Sequence, residues 1–301
     1  MNFMRVGATV IIVAALAACK HEGGPFTSPT PPTAGLRYVN LMPDRAAVDF
    51  RIVDNVTFAP SAFGATFRTG GSPNGISTTF LPPYSAVLAG SHKIRMFWTS
   101  TNPDTAQMVL LDTTVTFTAG TNYTFFAYGY ATAGQTPALK AFVTTDSTPD
   151  PGAQVAVRVI HLAPAGSPTT AADVPASVDV YVANQTVATP AGAATWAAVG
   201  VGTFTGYRTM APDSLQIFVT PAATPATVTA KANAPKGVAA AAATSTTPPT
   251  DPIAGTQQAG SSITAVIVPR SLAGSKAPQT AAFLVPAVLY LIDRNPPRTV
   301  N

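Results

Sequence analysis

Acid–base or metal chemistry at neutral pH would have to come from three histidines, His21, His92 and His161, in a chain of 301 residues. With a single cysteine, Cys19, they are too few and too scattered for a zinc site of several His or Cys ligands. Glu22 is the only glutamate, so a glycosidase pair would have to be assembled from isolated aspartates. Two aspartates stand out, Asp49 and Asp179, because each sits inside an apolar strand-like run. One reading makes them carboxylate ligands for Ca²⁺ or for a glycan hydroxyl. The other pairs them across adjacent strands with Arg37 and Arg158, at about 0.2–1 kcal/mol per pair, or has them brace a turn. No Asp-x-Asp loop accompanies either residue, which favours the structural role. The chain also lacks a Gly-x-Ser-x-Gly elbow, a Walker-type phosphate loop and a dinucleotide fingerprint. The residue inventory therefore points away from an enzyme, a cofactor and a bound metal.

The densest aromatic segment is Tyr123-Thr124-Phe125-Phe126-Ala127-Tyr128-Gly129-Tyr130. In a strand it puts rings on both faces, since side chains alternate. One face is core. The other, with Phe126, Tyr128 and Tyr130, either stacks a sugar or meets a partner, or packs against a second domain of the same chain. Trp98 and Trp196 read as core or loop anchors.

These residues sit in short β segments. Ala47–Val53 alternates strictly, with Val48, Phe50 and Ile52 on one face and Asp49 and Arg51 on the other. Further strands are expected over 36–43, 90–99, 108–118, 122–130 and 139–145, each bounded by turn residues. Thr, Val, Ala, Gly and 29 Pro dominate, and there are only six Lys, so helices lack their usual surface residues. A break at 146–152, Asp-Ser-Thr-Pro-Asp-Pro-Gly, reads as a linker. After it the pattern restarts. Arg158–Pro164 lies over Arg37–Pro43, Ser177–Val182 over Ala47–Ile52, and Ala259–Val266 over Ala119–Phe126, at offsets of 121, 130 and 140 residues. The growing offset implies insertions in the second copy, including a low-complexity stretch at 234–256 with no core pattern, expected to be mobile. The repeat also weighs on His161. Its match in the first copy is Asn40, which cannot act as a general base, so His161 reads as a structural polar residue. Near the end, 281–292 is strongly apolar but broken by Pro286, and two buried strands flanking that proline are expected.

The first residues carry one charge, Arg5, followed by an apolar run from Val6 to Ala18 that is too short to span a bilayer permanently. The run ends Leu16-Ala17-Ala18-Cys19, which resembles the lipobox of bacterial lipoproteins. That resemblance implies alkylation of the Cys19 thiol by a diacylglyceryl group, cleavage before Cys19, acylation of the new amine by a fatty acyl (palmitate-type) chain, and stable attachment through several chains. Lys20 rather than Asp follows, which in a two-membrane cell implies the outer membrane. Lys20–Gly35 is Pro/Thr/Gly-rich and reads as a tether. The net charge is +4 without any basic run, which argues against a nucleic-acid partner.

Arg158-Val-Ile-His-Leu-Ala-Pro164, followed by Val178-Asp-Val-Tyr-Val182 and a later Ala-Gly-x-x strand start, resembles the bacterial domain of unknown function 4397. The resemblance implies immunoglobulin-like sandwiches, often tandem and often in surface proteins, and brings no catalytic residue. The expectation is thus an all-β protein: a signal peptide at 1–18, the lipidated Cys19 and tether to 35, a first sandwich at 36–146, a linker at 147–154, a second sandwich at 155–295 and a tail at 296–301. Its expected role is a non-catalytic binding or interaction module of the cell envelope, anchored to the membrane through Cys19. The expected partner is an envelope protein or a polysaccharide. The alternatives are a passive structural spacer and a surface polysaccharide-binding protein.

Overall fold

The computed structural model describes residues 31–54, 65–71 (backbone alone), 83–164, 173–243 and 248–298. The expected signal peptide, Cys19 and the expected tether up to residue 30 lie outside the described residues.

The structure is nearly all β, built from four sheets. In the first half the chain forms β1 (Thr33–Leu41), β2 (Val48–Ile52), β3 (Ala65–Gly71), β4 (Ser85–Leu88), β5 (Gly90–Trp98), a one-turn helix α1 (Pro103–Ala106), β6 (Val109–Phe117), β7 (Asn122–Tyr128) and β8 (Lys140–Thr145). One sheet runs β3-β2-β5-β6 and the other β4-β1-β7-β8. They pack face to face over Leu36, Tyr38, Phe50, Ile94, Met96, Phe117 and Phe125. Phe50 sits at the centre, with ring centroids 4.7 Å from Tyr38 and 4.9 Å from Phe125.

The second half repeats this plan with β9 (Val155–His161), β10 (Ser177–Asn184), β11 (Trp196–Gly200), β12 (Thr203–Phe204), β13 (Arg208–Met210), β14 (Leu215–Pro221), β15 (Ala230–Asn233), β16 (Ser262–Val268) and β17 (Ala287–Arg294). Its sheets run β11-β10-β14-β15 and β12-β9-β16-β17, with β13 also on β9. The halves match in strand order and in register. β1 pairs parallel with β7, setting Arg37 beside Thr124, and β9 pairs parallel with β16, setting Arg158 beside Thr264. The remaining strand pairings are antiparallel.

From Thr33 onward the chain is one compact unit, not two separate bodies. The reason lies in the outward faces of the β1 and β9 sheets. Val39, Leu41, Phe126 and Tyr128 of the first half meet Ile160, Leu162, Val266, Val268 and Leu291 of the second in a third buried apolar cluster. Each such side chain contributes about 1.5–3 kcal/mol when removed from water. Nine of them make this an interface of the kind that does not open. β1, β7, β9 and β16 are thus covered on both faces, the normal situation for parallel pairs.

Three expectations are corrected here. Only one strand, β17, follows Pro286; before it, Phe283 and Leu284 close turns onto the carbonyls of Thr280 and Ala281. The 234–256 segment, expected to be mobile for want of a core pattern, forms an antiparallel ribbon in its described part, with Val238 and Ile253 exchanging both backbone hydrogen bonds and Ala241 and Thr250 doing the same. Its base needs glycine: a Cβ on Gly255 would lie 2.0 Å from the Gly237 nitrogen. Finally, the rings of Phe126, Tyr128 and Tyr130 are not a free surface. They are 0%, 8% and 3% exposed, with Phe126 and Tyr128 in the inter-sandwich cluster.

Candidate functional site

The ionisable side chains that the fold gathers most tightly lie at the junction of the two inner sheets. β1 carries Arg37 and β9 carries Arg158, both pointing away from their own cores into the shared interface, where they are 1% and 4% exposed. Arg37 Nε donates to Thr124 Oγ1 at 2.6 Å, and Arg158 Nε donates to Thr264 Oγ1 at 2.7 Å. Each guanidinium then crosses to the other half. Arg37 pairs with Asp293 at the end of β17, and Arg158 Nη2 pairs with Asp146 just after β8 at 2.7 Å. Each aspartate accepts in addition from its own half: Asp146 from Thr124 and from Tyr84 Oη at 2.7 Å, Asp293 from Thr264 and from Tyr207 Oη at 2.9 Å. Tyr84 lies under the Arg37 guanidinium at 4.6 Å and Tyr207 under that of Arg158 at 4.8 Å. Eight side chains therefore form two equivalent sets related by a pseudo-two-fold, with the ion pairs exchanged between halves.

Charge balances inside this cluster, two guanidinium groups against two carboxylates. Burial would lower the Arg37 pKa, but Asp293, Tyr84 and Asp146 more than offset it and leave Arg37 raised above its usual value. Burial, reinforced by the neighbouring carboxylates, pushes both Tyr84 and Tyr207 above the usual phenol range, so both stay neutral donors. Chemically the cluster is spent on itself. Its donors and acceptors answer one another, and it acts as a register key that fixes one sandwich on the other.

Asp49 and Asp179 do not join Arg37 and Arg158. Both lie in the outlying sheets. Asp49 accepts from Thr99 Oγ1 at 2.7 Å and from Arg51 at 3.0 Å. Asp179 accepts the backbone N–H of Ala198 and of Ala223, each at 2.8 Å. Those two alanines have φ of 52° and 60°, a left-handed backbone that costs a non-glycine residue about 1–2 kcal/mol. Asp179 thus ties down a strained irregularity within β11 and a strained turn after β14.

His161 is fully buried. Its Nε2 lies 2.9 Å from the Pro175 carbonyl, and its Nδ1 accepts from Ala163 N–H at 3.3 Å, which assigns the proton to Nε2 in a neutral ring. Burial lowers its pKa, and the bond to Pro175 only partly opposes this. Asn40 does the matching job in the first half, its Oδ1 accepting from Met42 N–H at 3.0 Å. His92, in β5, has Nδ1 3.2 Å from the Asp54 carboxylate. Trp196 is part of the second core, and Trp98 is half-buried under the Arg45 guanidinium at 4.8 Å.

Sequence reasoning missed Asp146, Asp293, Tyr84 and Tyr207. The two aspartates looked like loop residues after the last strand of each half. Extending the repeat through those strands would have matched them, because β7–β8 and β16–β17 share the register that sets Tyr128 beside Lys140 and Val268 beside Ala287. Among the described residues, no group of three or more His, Cys, Asp or Glu is placed to hold a metal ion, and no helix is long and apolar enough to cross a membrane.

Residues 34–171 match the family described as a domain of unknown function (DUF4397), and over that span the chain resembles the family. The match covers the first sandwich, the linker and β9; the likeness of the second sandwich to the first rests on strand order and register. No curated protein matches the chain.

Proposed function

We propose that this chain is an exported, lipid-anchored, non-catalytic binding module of the cell envelope, held away from the membrane by its tether. The observation that carries this reading is the Arg37–Asp293 and Arg158–Asp146 exchange, backed by the inter-sandwich apolar cluster. It turns two small sandwiches into one rigid head and leaves the best-placed ionisable groups saturated by one another instead of offered to a substrate. A rigid head presents its rims and loops at fixed spacing, which lowers the ordering cost of binding. The lipobox at Leu16–Cys19 supplies the anchor.

The test has two arms. Replacing Cys19 by Ala is expected to abolish incorporation of labelled palmitate and to release the protein from the membrane fraction; continued labelling would refute the anchor. In-cell crosslinking of the lipidated protein, read by mass spectrometry and carbohydrate analysis, is expected to recover a stoichiometric envelope component. Recovery of lipid alone would refute the binding module in favour of a passive spacer.

A further inference from the structure

We propose that the rim where the two inner sheets meet, formed by Phe204, Phe142 and Lys140 over the buried Tyr128, binds an acidic polysaccharide. This rests on the binding-module reading and names its ligand. Phe204 is 57% exposed and is the one aromatic among the strongly exposed large apolar side chains described. It is not on a loose loop. Thr203 and Phe204 pair with His161 and Ile160, Gly202 N–H donates to the His161 carbonyl at 2.8 Å, and Thr205 N–H donates to the Val159 carbonyl at 2.9 Å. A ring pinned on both sides to a fully buried strand is presented to solvent at a fixed angle, which favours stacking because little freedom is left to lose.

Behind Phe204 the rings continue inward. Phe142 meets it edge-on at 6.3 Å, and Tyr128 meets Phe142 edge-on at 6.4 Å. Lys140 stands two residues before Phe142 on the same face of edge strand β8, exposed, with Nζ 6.0 Å from the Tyr128 ring centroid. The rim is therefore a short ladder, with a bare ring at one end and an ammonium group at the other.

Packing at the junction calls for apolar side chains at Tyr128 and Phe142, but not for aromatic ones, and not for Lys140. At the matching positions of the second sandwich, Lys140, Phe142 and Tyr128 are replaced by Ala287, Leu289 and Val268, and the same sheet forms. The ladder is an addition to one side of a symmetric junction. A protein partner fits it poorly, because one exposed ring backed by a half-buried Phe142 and a buried Tyr128 falls short of the several hundred Å² of apolar surface such contacts use. A chain of pyranose rings fits it well. Its C–H faces stack on Phe204 and Phe142, and a carboxylate borne further along meets Lys140.

The test titrates the full chain with alginate, a polyuronate, and with dextran, a neutral glucan, by isothermal calorimetry. Saturable binding of alginate and none of dextran is expected. F204A and K140Q are each expected to weaken alginate binding by at least about tenfold without changing the unfolding midpoint, whereas K276Q, at an exposed lysine elsewhere, leaves it unchanged. Absence of alginate binding, or binding that F204A and K140Q leave intact, overturns the proposal, and equal binding of dextran overturns its acidic part. If alginate fails while in-cell crosslinking recovers a protein partner, this site is refuted and the binding-module reading stands.

Discussion

Replacing Asp293 by Ala removes the shared acceptor of Arg37, Tyr207 and Thr264 in one step. Arg37 is 1% exposed, so water cannot stand in for the lost carboxylate. Its guanidinium keeps Thr124, the Ile292 carbonyl at 2.7 Å and a more distant Asp146 at 3.4 Å. Breaking a buried pair from one side costs about 3–5 kcal/mol, and the residual contact to Asp146 places D293A toward the lower end, at about 3 kcal/mol. That is a large fraction of the roughly 5–15 kcal/mol that holds a typical domain folded. Urea unfolding followed by intrinsic fluorescence reads this as a lower midpoint at unchanged slope. The double variant R37M/D293L replaces the pair with apolar volume and is expected to be more stable than D293A alone, since no unpaired charge remains. A loss below about 1 kcal/mol for D293A, or a double variant R37M/D293L no more stable than D293A, would refute the view that these charges hold the sandwiches in register.

Three further outcomes follow from the same geometry. F126A, at a fully buried ring between the sandwiches, is expected to cost about 3–5 kcal/mol in the same assay; a near-neutral result would mean the junction opens. His161 has a folded pKa below its unfolded value of 6.5, so its contribution is complete above pH 6.5 and is lost as pH falls from there through the folded pKa. H161N, which keeps an acceptor for Ala163 as Asn40 does for Met42, is expected to show a shallower loss of stability between about pH 6.5 and pH 5 than the parent; identical slopes would contradict the assignment. A198G and A223G relieve left-handed strain of about 1–2 kcal/mol against a glycine entropy cost of about 0.5–1 kcal/mol, so each is expected to raise the unfolding midpoint slightly, while D179A lowers it.

Much of the β architecture was legible because alternation is a local signal. Val48, Phe50 and Ile52 face the core, and Arg51 does not, as their spacing requires. β1, β7, β9 and β16 were harder to interpret. A strand covered on both sides has no polar face to declare its orientation, so the sequence could place Phe126 and Tyr128 on the far face of β7 without saying what covers it. The repeat was legible through Arg37 and Arg158, but their partners were not. Nothing local distinguishes Asp146 or Asp293 from an ordinary turn aspartate, and each becomes a buried counter-ion only when the other half of the chain arrives. Asp49 and Asp179 show the converse: matched by sequence, they hold different groups, a side-chain pair in one half and two backbone amides in the other.

The exchange of partners across the junction also sets a timetable. Arg37 and Asp293 are 256 residues apart in the chain, whereas Arg158 and Asp146 are 12 apart. During synthesis the shorter link becomes available midway, while the longer one waits for the last strand. Until β17 docks, Arg37 has only the more distant Asp146, at 3.4 Å, as its counter-charge. A chain truncated before Asp293 would retain every described strand of its first sandwich and still lack the closer of Arg37's two counter-charges. The Arg37–Asp293 contact, with its long loop to close, is therefore among the slowest to form.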